Sequence, residues 1–383
     1  MIYFDQAASS FPKPEGVAEA MVEVVEQFAA NPGRSGHQLA RQANEIVERT
    51  RRKLALLFHH ESDKHVVFLQ NATAALNQAI EGVTWEPHDH IIATQLEHNA
   101  VRRPLERLKK EMNIHVTYVQ KESEKGWAEL VETHMTERTK LVIVTHGSNV
   151  TGDILPIKAI SEVVNQHKAL LCVDASQTAG IVDINMASMA IDMLAFPGHK
   201  GLMGPQGTGI LMVKKHVELR PLIVGGTGHA SESPEQPETW PERLESGTLN
   251  TPGIAGLLKG IETINDIGLK VIYEHEKKLA IHCIEGLKAI GDIEIVGSAT
   301  HHERLGVVSF LVRGIDPHEM AIILDEHYHI AVRAGLHCSP LAHQACGSSQ
   351  TGLVRASFGV YNTVDEVDTF LSAVAEIKEG LLE

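Results

Sequence analysis

Short runs of apolar residues recur along the first 200 positions of the chain, separated by stretches in which apolar residues have helical spacing. The runs are continuous rather than alternating, which is typical of parallel strands that helices cover on both faces. They are HVVFLQ (65–70), HIIAT (90–94), HVTYV (115–119), KLVIVT (140–145), ALLCVDA (169–175) and DMLAF (192–196). Helices are predicted between them, for example over 74–81, 101–112 and 157–167, the last one beginning after Pro156. The pattern therefore predicts a parallel α/β sheet.

The second part of the chain has a different pattern. Residues 224–253 are rich in Gly, Pro, Ser and Glu, so a long surface loop is predicted there. A helical pattern over 254–290 follows, then strand-like runs at 293–297, 305–312, 330–335 and 352–359, and a final helix from about Val364. We predict a large domain over 15–253 and a small α+β domain that combines 1–14 with 254–383, since 383 residues exceed the usual size of one core.

Composition restricts the class of protein. Hydrophobic residues make up 43% and charged residues 22% of the chain, as in ordinary folded proteins. The net charge of −15 disfavours nucleic acids and anionic membranes as partners, because both repel an acidic surface. No signal peptide and no apolar run of membrane-spanning length is present, so we expect a cytoplasmic protein. Four cysteines are too few for a disulfide framework and are expected to be reduced.

Two residues at predicted strand ends suggest chemistry. Lys200 lies between an apolar run and a glycine-rich segment, and a lysine held in a fixed site with an accessible neutral form can make a Schiff base. Asp174 ends the apolar run before it, where the carboxyl ends of parallel strands gather ligands. Taken singly, Lys200 could be a solvated lysine in a turn and Asp174 a helix N-cap.

Two further positions add to this picture. Ala72 and Thr73 lie where a predicted strand turns into a helix, so they offer N–H groups and a hydroxyl to a phosphate, or simply begin a capped helix. His98 follows another strand and could stack on a flat ring or move protons, although the chain holds 23 histidines. An amine, a carboxylate, a phosphate cradle and an imidazole together describe a pyridoxal phosphate site, in which the carboxylate keeps the pyridine nitrogen protonated.

A set of motifs in a fixed order extends over nearly the whole chain. These are YFDQAAS (3–9), NATAALN (71–77), LEHNA (96–100), THGSNVTG (145–152), VDASQTAG (173–180), FPGHKGLMGPQGTG (196–209), ESGTLNTPG (245–253), RAGLHCSP (333–340) and VRASFGVYNTVDEVD (354–368). With them the chain resembles the pyridoxal-phosphate cysteine desulfurase and selenocysteine lyase family of the class V aminotransferase group. The resemblance implies fold type I: a large domain with a mostly parallel seven-stranded sheet flanked by helices, and a smaller α+β C-terminal domain.

The resemblance also implies roles around the cofactor ring. Lys200 would form the imine with pyridoxal 5'-phosphate, and Asp174 would pair with the pyridinium nitrogen. Gln177 would hydrogen-bond the ring hydroxyl. His98 would stack over the ring and assist proton transfer.

Further roles concern the phosphate, the substrate and the neighbouring subunit. The resemblance assigns Ala72, Thr73 and His199 to the phosphate. Thr248 resembles a residue that reaches the phosphate of a second subunit, which implies a homodimer. Arg355 and Asn149 would hold the substrate carboxylate, the arginine through a two-pronged salt bridge, with Arg333 as a second basic contact.

Cys338 decides which reaction is expected. It lies in a loop after a strand beside His337 and Pro340, a setting typical of exposed backbone, whereas Cys172 lies inside an apolar strand. We predict that Cys338 is the nucleophile of a cysteine desulfurase, which converts L-cysteine to L-alanine and passes the sulfur as a persulfide to an acceptor protein.

Alternatives remain at this point. His337, Cys338, His343 and Cys346 could suggest zinc, but C-x4-H-x2-C lacks the usual C-x2-C half, so no metal is predicted. Within enzymes, the alternatives are selenocysteine lyase activity on L-selenocysteine, or a class V aminotransferase or β-lyase in which Cys338 stands idle. A sulfur-assembly scaffold without catalysis is the alternative from another class.

Overall fold

The computed structural model describes residues 1–33, 36–122, 124–229, 231–297 and 303–382. Its helices are α1 (Val17–Gln27), α2 (Gln38–Leu57), α3 (Ala72–Glu81), α4 (Asn99–Met112), α5 (Trp127–His134), α6 (Ile157–Gln166), α7 (Thr251–Ile267), α8 (Leu269–Ile290), α9 (Pro317–Tyr328), α10 (Pro340–Ala345) and α11 (Val364–Leu382). Its strands are β1 (Ile2–Tyr3), β2 (Val66–Leu69), β3 (His90–Thr94), β4 (His115–Val119), β5 (Thr139–Thr145), β6 (Leu170–Asp174), β7 (Met193–Pro197), β8 (Gly209–Val213), β9 (Ile293–Val296), β10 (Val307–Val312), β11 (Ile330–Ala331), β12 (Arg333–Gly335) and β13 (Leu353–Ser357).

The larger sheet has seven strands in the order β2-β8-β7-β6-β5-β3-β4. Strands β7, β6, β5, β3 and β4 pair in parallel, and β8 alone runs against both of its neighbours. The reversal at β8 gives β2 the same direction as the parallel strands. The mostly parallel seven-stranded sheet predicted from the sequence is confirmed.

Continuous apolar runs occur in this sheet because helices cover both of its faces. Neighbouring residues of one strand point into different cores: Ile91 and Leu141 belong to one cluster, and Ile92 and Val142 belong to the other. All four are fully buried. A strand with one solvated face would alternate apolar and polar residues instead.

The sequence pattern predicted six of the seven strands within two residues of their bounds and missed β8. Its five residues, Gly209–Val213, are all buried. They directly follow the glycine-rich segment after Lys200, so a short apolar run at this position resembles the end of a loop. The apolar pattern alone therefore does not distinguish this strand from the loop that precedes it.

The smaller sheet is antiparallel and has the order β12-β13-β10-β9, and β1 pairs in parallel with β11 beside it. Phe4, directly after β1, is fully buried in the core of this sheet. Its ring centroid lies 4.9 Å from that of Phe358 and 5.7 Å from that of Phe370. The first residues of the chain thus pack against elements formed by its last 130 residues. The division into two domains stays a prediction.

The helical pattern over 254–290 forms two helices rather than one. Gly268 separates α7 from α8 with a φ of +90°, a conformation that favours glycine. The apolar residues Ile254, Leu257 and Ile261 of α7 belong to the core under the large sheet, although they follow the predicted boundary at 253. Among the helices of the described residues, α8 is the longest at 22 residues, and none is apolar enough to cross a bilayer.

The predicted loop over 224–253 contains no helix or strand in its described part before α7 begins. It is nevertheless anchored in the interior. Glu245 is buried and accepts hydrogen bonds from both terminal nitrogens of Arg51, at 2.7 and 2.5 Å. It also accepts one from the N–H of Phe68 in β2. A buried ion pair with several hydrogen bonds fixes this loop against the sheet.

Candidate active site

A cavity with about 610 Å³ of empty space, part of it open to solvent, lies where strands β2, β3, β5, β6 and β7 end. Their carboxyl ends meet at one edge of the sheet, which is where open α/β sheets bind ligands. Eight of the residues singled out in the sequence line this cavity: Ala72, Thr73, His98, Asn149, Asp174, Gln177, His199 and Lys200. Parallel strand direction thus brings together residues that are far apart along the chain.

Lys200 follows β7 and extends into the cavity. Removal of its amine from bulk water lowers the pKa to about 8, and the positive charge of Arg355 acts in the same direction. The carboxylate of Asp174 opposes both effects without cancelling them. A neutral amine is therefore accessible near neutral pH, as Schiff-base formation requires.

Asp174 is the last residue of β6 and is 2% exposed. Its Oδ1 accepts a hydrogen bond of 2.9 Å from the N–H of Ser176. The second carboxylate oxygen has no hydrogen-bond partner within the described part of the chain. A buried carboxylate with one open acceptor is suited to a cationic N–H donor such as a pyridinium.

The first turn of α3 forms one end of the cavity. Asn71 caps this helix by accepting the N–H of Ala74 at 2.9 Å, and no described residue accepts the N–H groups of Ala72 and Thr73. These groups and the helix dipole attract an anion. Nδ1 of His199 is buried without a partner among the described residues, and burial and Lys200 lower the pKa of this ring to about 4. The free donors and this orphaned nitrogen fit the phosphate of pyridoxal phosphate.

Gln177 closes the cavity near the start of the chain. Its Nε2 donates a hydrogen bond of 3.1 Å to the carbonyl of Ala7. One amide hydrogen is therefore committed to the backbone, and the side chain is fixed in place. Its assignment to the ring hydroxyl of a cofactor stays a prediction.

His98 is the N-cap residue of α4. Its Nδ1 accepts the N–H of Ala100 at 3.0 Å, so the ring hydrogen is left to Nε2. Burial is the main cause that lowers the pKa of this imidazole, and Asp174 opposes it. The capping hydrogen bond holds the ring just after the carboxyl end of β3. The lowered pKa keeps the ring in its neutral form.

Glu97, directly before His98, is a buried acidic residue that the sequence pattern did not predict. It is fully buried, and its Oε1 accepts hydrogen bonds from Thr94 Oγ1 at 2.7 Å and from the N–H of Thr145 at 2.9 Å. Burial raises its pKa to about 8. The side chain joins the ends of β3 and β5 beneath His98. The available signal was an acidic residue in the short segment between the apolar run 90–94 and the helix that follows it.

Two arginines lie opposite each other on the smaller sheet. Arg333 of β12 and Arg355 of β13 are cross-strand partners. Arg355 is 1% exposed; its Nη2 donates to Asp5 at 2.8 Å and its Nη1 donates to the carbonyl of Asn149 at 3.1 Å. Its Nε has no partner among the described residues. Two guanidinium groups and a single carboxylate partner, Asp5, leave a net positive charge that suits a substrate carboxylate.

Cys338 is exposed in the turn between β12 and α10. His337 and Cys338 adopt left-handed conformations in succession, with φ of 48° and 58°. The carbonyl of Cys338 accepts the N–H of Asn99 at 2.8 Å, and Nη2 of Arg333 lies 3.6 Å from the Cys338 sulfur. The turn is therefore attached to the helix that His98 caps, which brings the thiol to the same edge of the sheet.

Asn149 connects the cavity to this turn. Its Nδ2 donates to the carbonyl of His337 at 2.7 Å, and its Oδ1 accepts the hydroxyl of Ser339 at 2.7 Å. The family resemblance implies that Asn149 binds the substrate carboxylate, whereas these contacts use both ends of its amide to hold the turn that carries Cys338. Its contact with a substrate stays a prediction.

The histidines near Cys338 bind each other. Nδ1 of His337 lies 3.2 Å from Nε2 of His343, whose Nδ1 lies 2.8 Å from the hydroxyl of Ser348. Both imidazoles are buried, and burial lowers their pKa values. Over the described ranges, no three histidine, cysteine or acidic side chains converge as metal ligands do. The histidine pair packs behind the turn that carries Cys338.

The remaining cysteines are less accessible than Cys338. Cys172 and Cys283 are buried, and burial raises the pKa of both thiols. Cys346 is half-buried, and burial raises its pKa to about 11. A thiolate is the reactive form of cysteine, so these three are poor nucleophiles.

Thr248 does not line the cavity that holds Lys200. It is exposed in the segment before α7 and lines a separate cavity with Gly207, Ser246 and Ile223. Within one chain it is therefore not a cofactor contact. A contact between Thr248 and a second subunit stays a prediction.

Comparison with known proteins identifies the family. The aminotransferase class V model matches residues 2–370. The chain belongs to this family. A relative from Pyrococcus abyssi, named probable cysteine desulfurase, is 36% identical, with 100% of this chain and 95% of the relative covered. A probable cysteine desulfurase from Methanothermobacter thermautotrophicus is 35% identical over 98% of this chain and 94% of its own.

A solved structure agrees with the family assignment. The apo structure of a cysteine desulfurase from Thermococcus onnurineus NA1 superposes with a TM-score of 0.93 and is 34% identical, with 99% of this chain and 95% of that chain covered. The similarity extends over both sheets because nearly all of both chains are included. The family and the fold type predicted from the motifs are confirmed.

Proposed function

We propose that the protein is a pyridoxal-phosphate-dependent cysteine desulfurase that converts L-cysteine to L-alanine and takes the sulfur on Cys338 as a persulfide. The observation that carries this proposal is the attachment of the Cys338 turn to the cavity of Lys200 and Asp174. Asn149 lines that cavity and holds the turn through two hydrogen bonds of 2.7 Å. An exposed thiol on a turn attached to this cavity is what the persulfide route requires.

The cavity offers a matching group for each part of the cofactor. The N–H groups of Ala72 and Thr73 and the ring of His199 would hold the phosphate, and Asp174 and Gln177 would hold the ring. Pyridoxal phosphate, when bound, withdraws electrons from the substrate carbon next to the amino group. This withdrawal of electrons lowers the barrier to removal of a proton from that carbon.

The side chains of the protein perform the remaining steps. Arg355 and Arg333 bind the substrate carboxylate, and the amine of Lys200 accepts the α-proton. The thiolate of Cys338 attacks the substrate sulfur, forming an S–S bond as the carbon–sulfur bond breaks. The β-carbon keeps that electron pair and takes up a proton to become the methyl group of alanine, and the α-carbon regains its proton from Lys200. His98, which lines the cavity, would assist these proton movements.

A thiol of an acceptor protein would then remove the sulfur from Cys338. Exposure of this cysteine supports such a transfer, because an incoming thiolate must reach the outer sulfur atom. L-Selenocysteine would use the same contacts of its amino and carboxylate groups. The cytoplasm stays the proposed location, in keeping with four cysteines that are not in disulfides.

We further propose a homodimer that uses the surface around Thr248. The neighbouring residues Leu222, Ile223 and Val224 are 42%, 57% and 68% exposed, which is a high cost for three consecutive apolar side chains in water. Ile223 lines the same small cavity as Thr248. Burial of this segment against a second copy would remove the apolar surface and bring Thr248 to the partner.

The test is mass spectrometry of the purified protein after addition of L-cysteine. We expect one additional sulfur on the peptide that contains Cys338, with formation of alanine. Cys338→Ala should lose both the adduct and sulfide release, and Cys346→Ala is the matched control that should keep both. Unchanged sulfide release by Cys338→Ala would refute the persulfide route and favour a β-lyase.

A further inference from the structure

A second cavity shares Lys200 and Gln177 with the cavity described above. It contains about 580 Å³ of empty space, part of it open to solvent. The walls come from the first residues of the chain, from α8, from the start of β10 and from the segment after β13. Leu305, Val307 and Phe358 supply much of its apolar surface. The proposed reaction uses none of these three residues.

One acidic side chain lines this cavity. Glu276, on α8, is 5% exposed and forms no hydrogen bond or ion pair with any residue that the structure describes. Burial alone raises its pKa to about 8, so no neighbouring cation compensates its charge. A buried carboxyl group without a partner lowers the stability of the fold by about 1–3 kcal/mol or more.

Several other polar side chains that line the cavity already have partners. Gln6 donates to the carbonyl of Phe11 at 2.6 Å and accepts its N–H at 3.0 Å, while Gln177 donates to Ala7. An entering molecule therefore meets apolar walls, the carboxyl group of Glu276, the phenol of Tyr361 and, at the end shared with the first cavity, Lys200. The cavity therefore favours a molecule that has a hydrogen-bond donor at one end and hydrocarbon over the rest of its length.

We propose that this cavity binds a small organic amine, with its ammonium group on Glu276 and its hydrocarbon part against Leu305, Val307 and Phe358. An ammonium ion supplies both the missing donor and the missing counter-charge. Inorganic cations fit poorly, because they require about five or more oxygen ligands and the walls here are largely apolar. A bound ammonium ion stabilises the ionised form of Glu276, whereas an anionic ligand does not.

Isothermal titration calorimetry on the cofactor-loaded protein tests this site with N,N-dimethylbenzylamine. A tertiary amine forms no imine with an aldehyde, so the cofactor does not consume it. We expect saturable binding to one site per chain, at least tenfold weaker binding by Glu276→Gln, and at least tenfold weaker binding of the neutral analogue benzyl alcohol. Glu274→Gln is the matched control, because Glu274 lies on the exposed side of α8, and it should bind as the wild type does.

Equal affinity of the wild type and Glu276→Gln, or equal affinity for the amine and the alcohol, overturns the proposal. Gly306→Ala gives a second test that leaves all charges in place. A methyl group at Gly306 would lie 3.0 Å from Cβ of Glu276 and narrow the cavity. We expect weaker amine binding by this variant as well. If Glu276→Gln does not fold, unchanged binding by Gly306→Ala overturns the proposal on its own.

Discussion

The amine of Lys200 is subject to two effects that favour its neutral form. Burial and the guanidinium groups of Arg355 and Arg333 lower its pKa, and Asp174 and Asp5 oppose them. A side chain with a depressed pKa loses its proton at a lower pH than ordinary lysines do. The proportion of neutral Lys200 therefore rises as the pH passes about 8.

Competitive labelling of the cofactor-free protein with acetic anhydride measures this shift, because only neutral amines react. We expect Lys200 to reach half of its maximal labelling near pH 8, whereas lysines on the surface should do so near the ordinary value of about 10.4. Peptide mass spectrometry separates Lys200 from the other lysines. A half-point for Lys200 near that of surface lysines would contradict the proposed electrostatics.

Asn149 fixes the turn that carries Cys338 through both ends of its amide. Asn149→Ala removes two hydrogen bonds, each contributing about 1 kcal/mol, so the proportion of chains with a displaced turn should rise at least tenfold. We expect faster hydrogen exchange over 336–340 and about tenfold slower persulfide formation. Ser339→Ala removes only one of these bonds and should give a smaller change in both measurements. Unaltered exchange in Asn149→Ala would show that the turn does not depend on this residue.

At the scale of elements, β8 fixes the position of α3. A Cβ atom on Gly209 would lie 2.2 Å from the carbonyl carbon of Asn71, the residue that caps α3. The missing side chain therefore allows the strand to pass directly beside the end of the cavity that the first turn of α3 forms. This contact joins β8, which the apolar pattern did not predict, to the start of α3, which the sequence did predict.

Gly209→Ala should displace the first turn of α3 and weaken the binding of pyridoxal phosphate at least tenfold. Fluorescence titration of the cofactor-free protein measures that affinity. Gly126→Ala is the matched control, since no atom lies within 4 Å of the Cβ position there. Equal cofactor affinity in the two variants would argue against a role of this close approach.

The sequence predicted those parts of the site that depend on strand direction. Lys200, Asp174 and His98 each follow an apolar run, and parallel strands bring such positions to one edge whatever lies between them. Glu97 and Glu276 could not be identified in this way, because their chemistry depends on burial by segments distant in sequence. The break at Gly268 was missed for a related reason: the apolar spacing continues through it, and a single glycine is tolerated in many helices.

The whole molecule is held together partly by its first residues. Phe4→Ala should lower the free energy of unfolding by about 3–5 kcal/mol, because it leaves a cavity between Phe358 and Phe370. Urea denaturation measures the change. Phe11→Ala is the control, since Phe11 is 59% exposed, and it should cost much less. A similar loss in both variants would mean that Phe4 contributes little to the core of the smaller sheet.

The placement of the four cysteines also makes the folded protein easy to quantify. Cys338 is the exposed one, while the other three are wholly or partly enclosed. A bulky maleimide dye applied briefly under native conditions should attach once per chain, at the position that receives sulfur in the proposed reaction. Dye stoichiometry then counts the competent fraction of a preparation before any substrate is added.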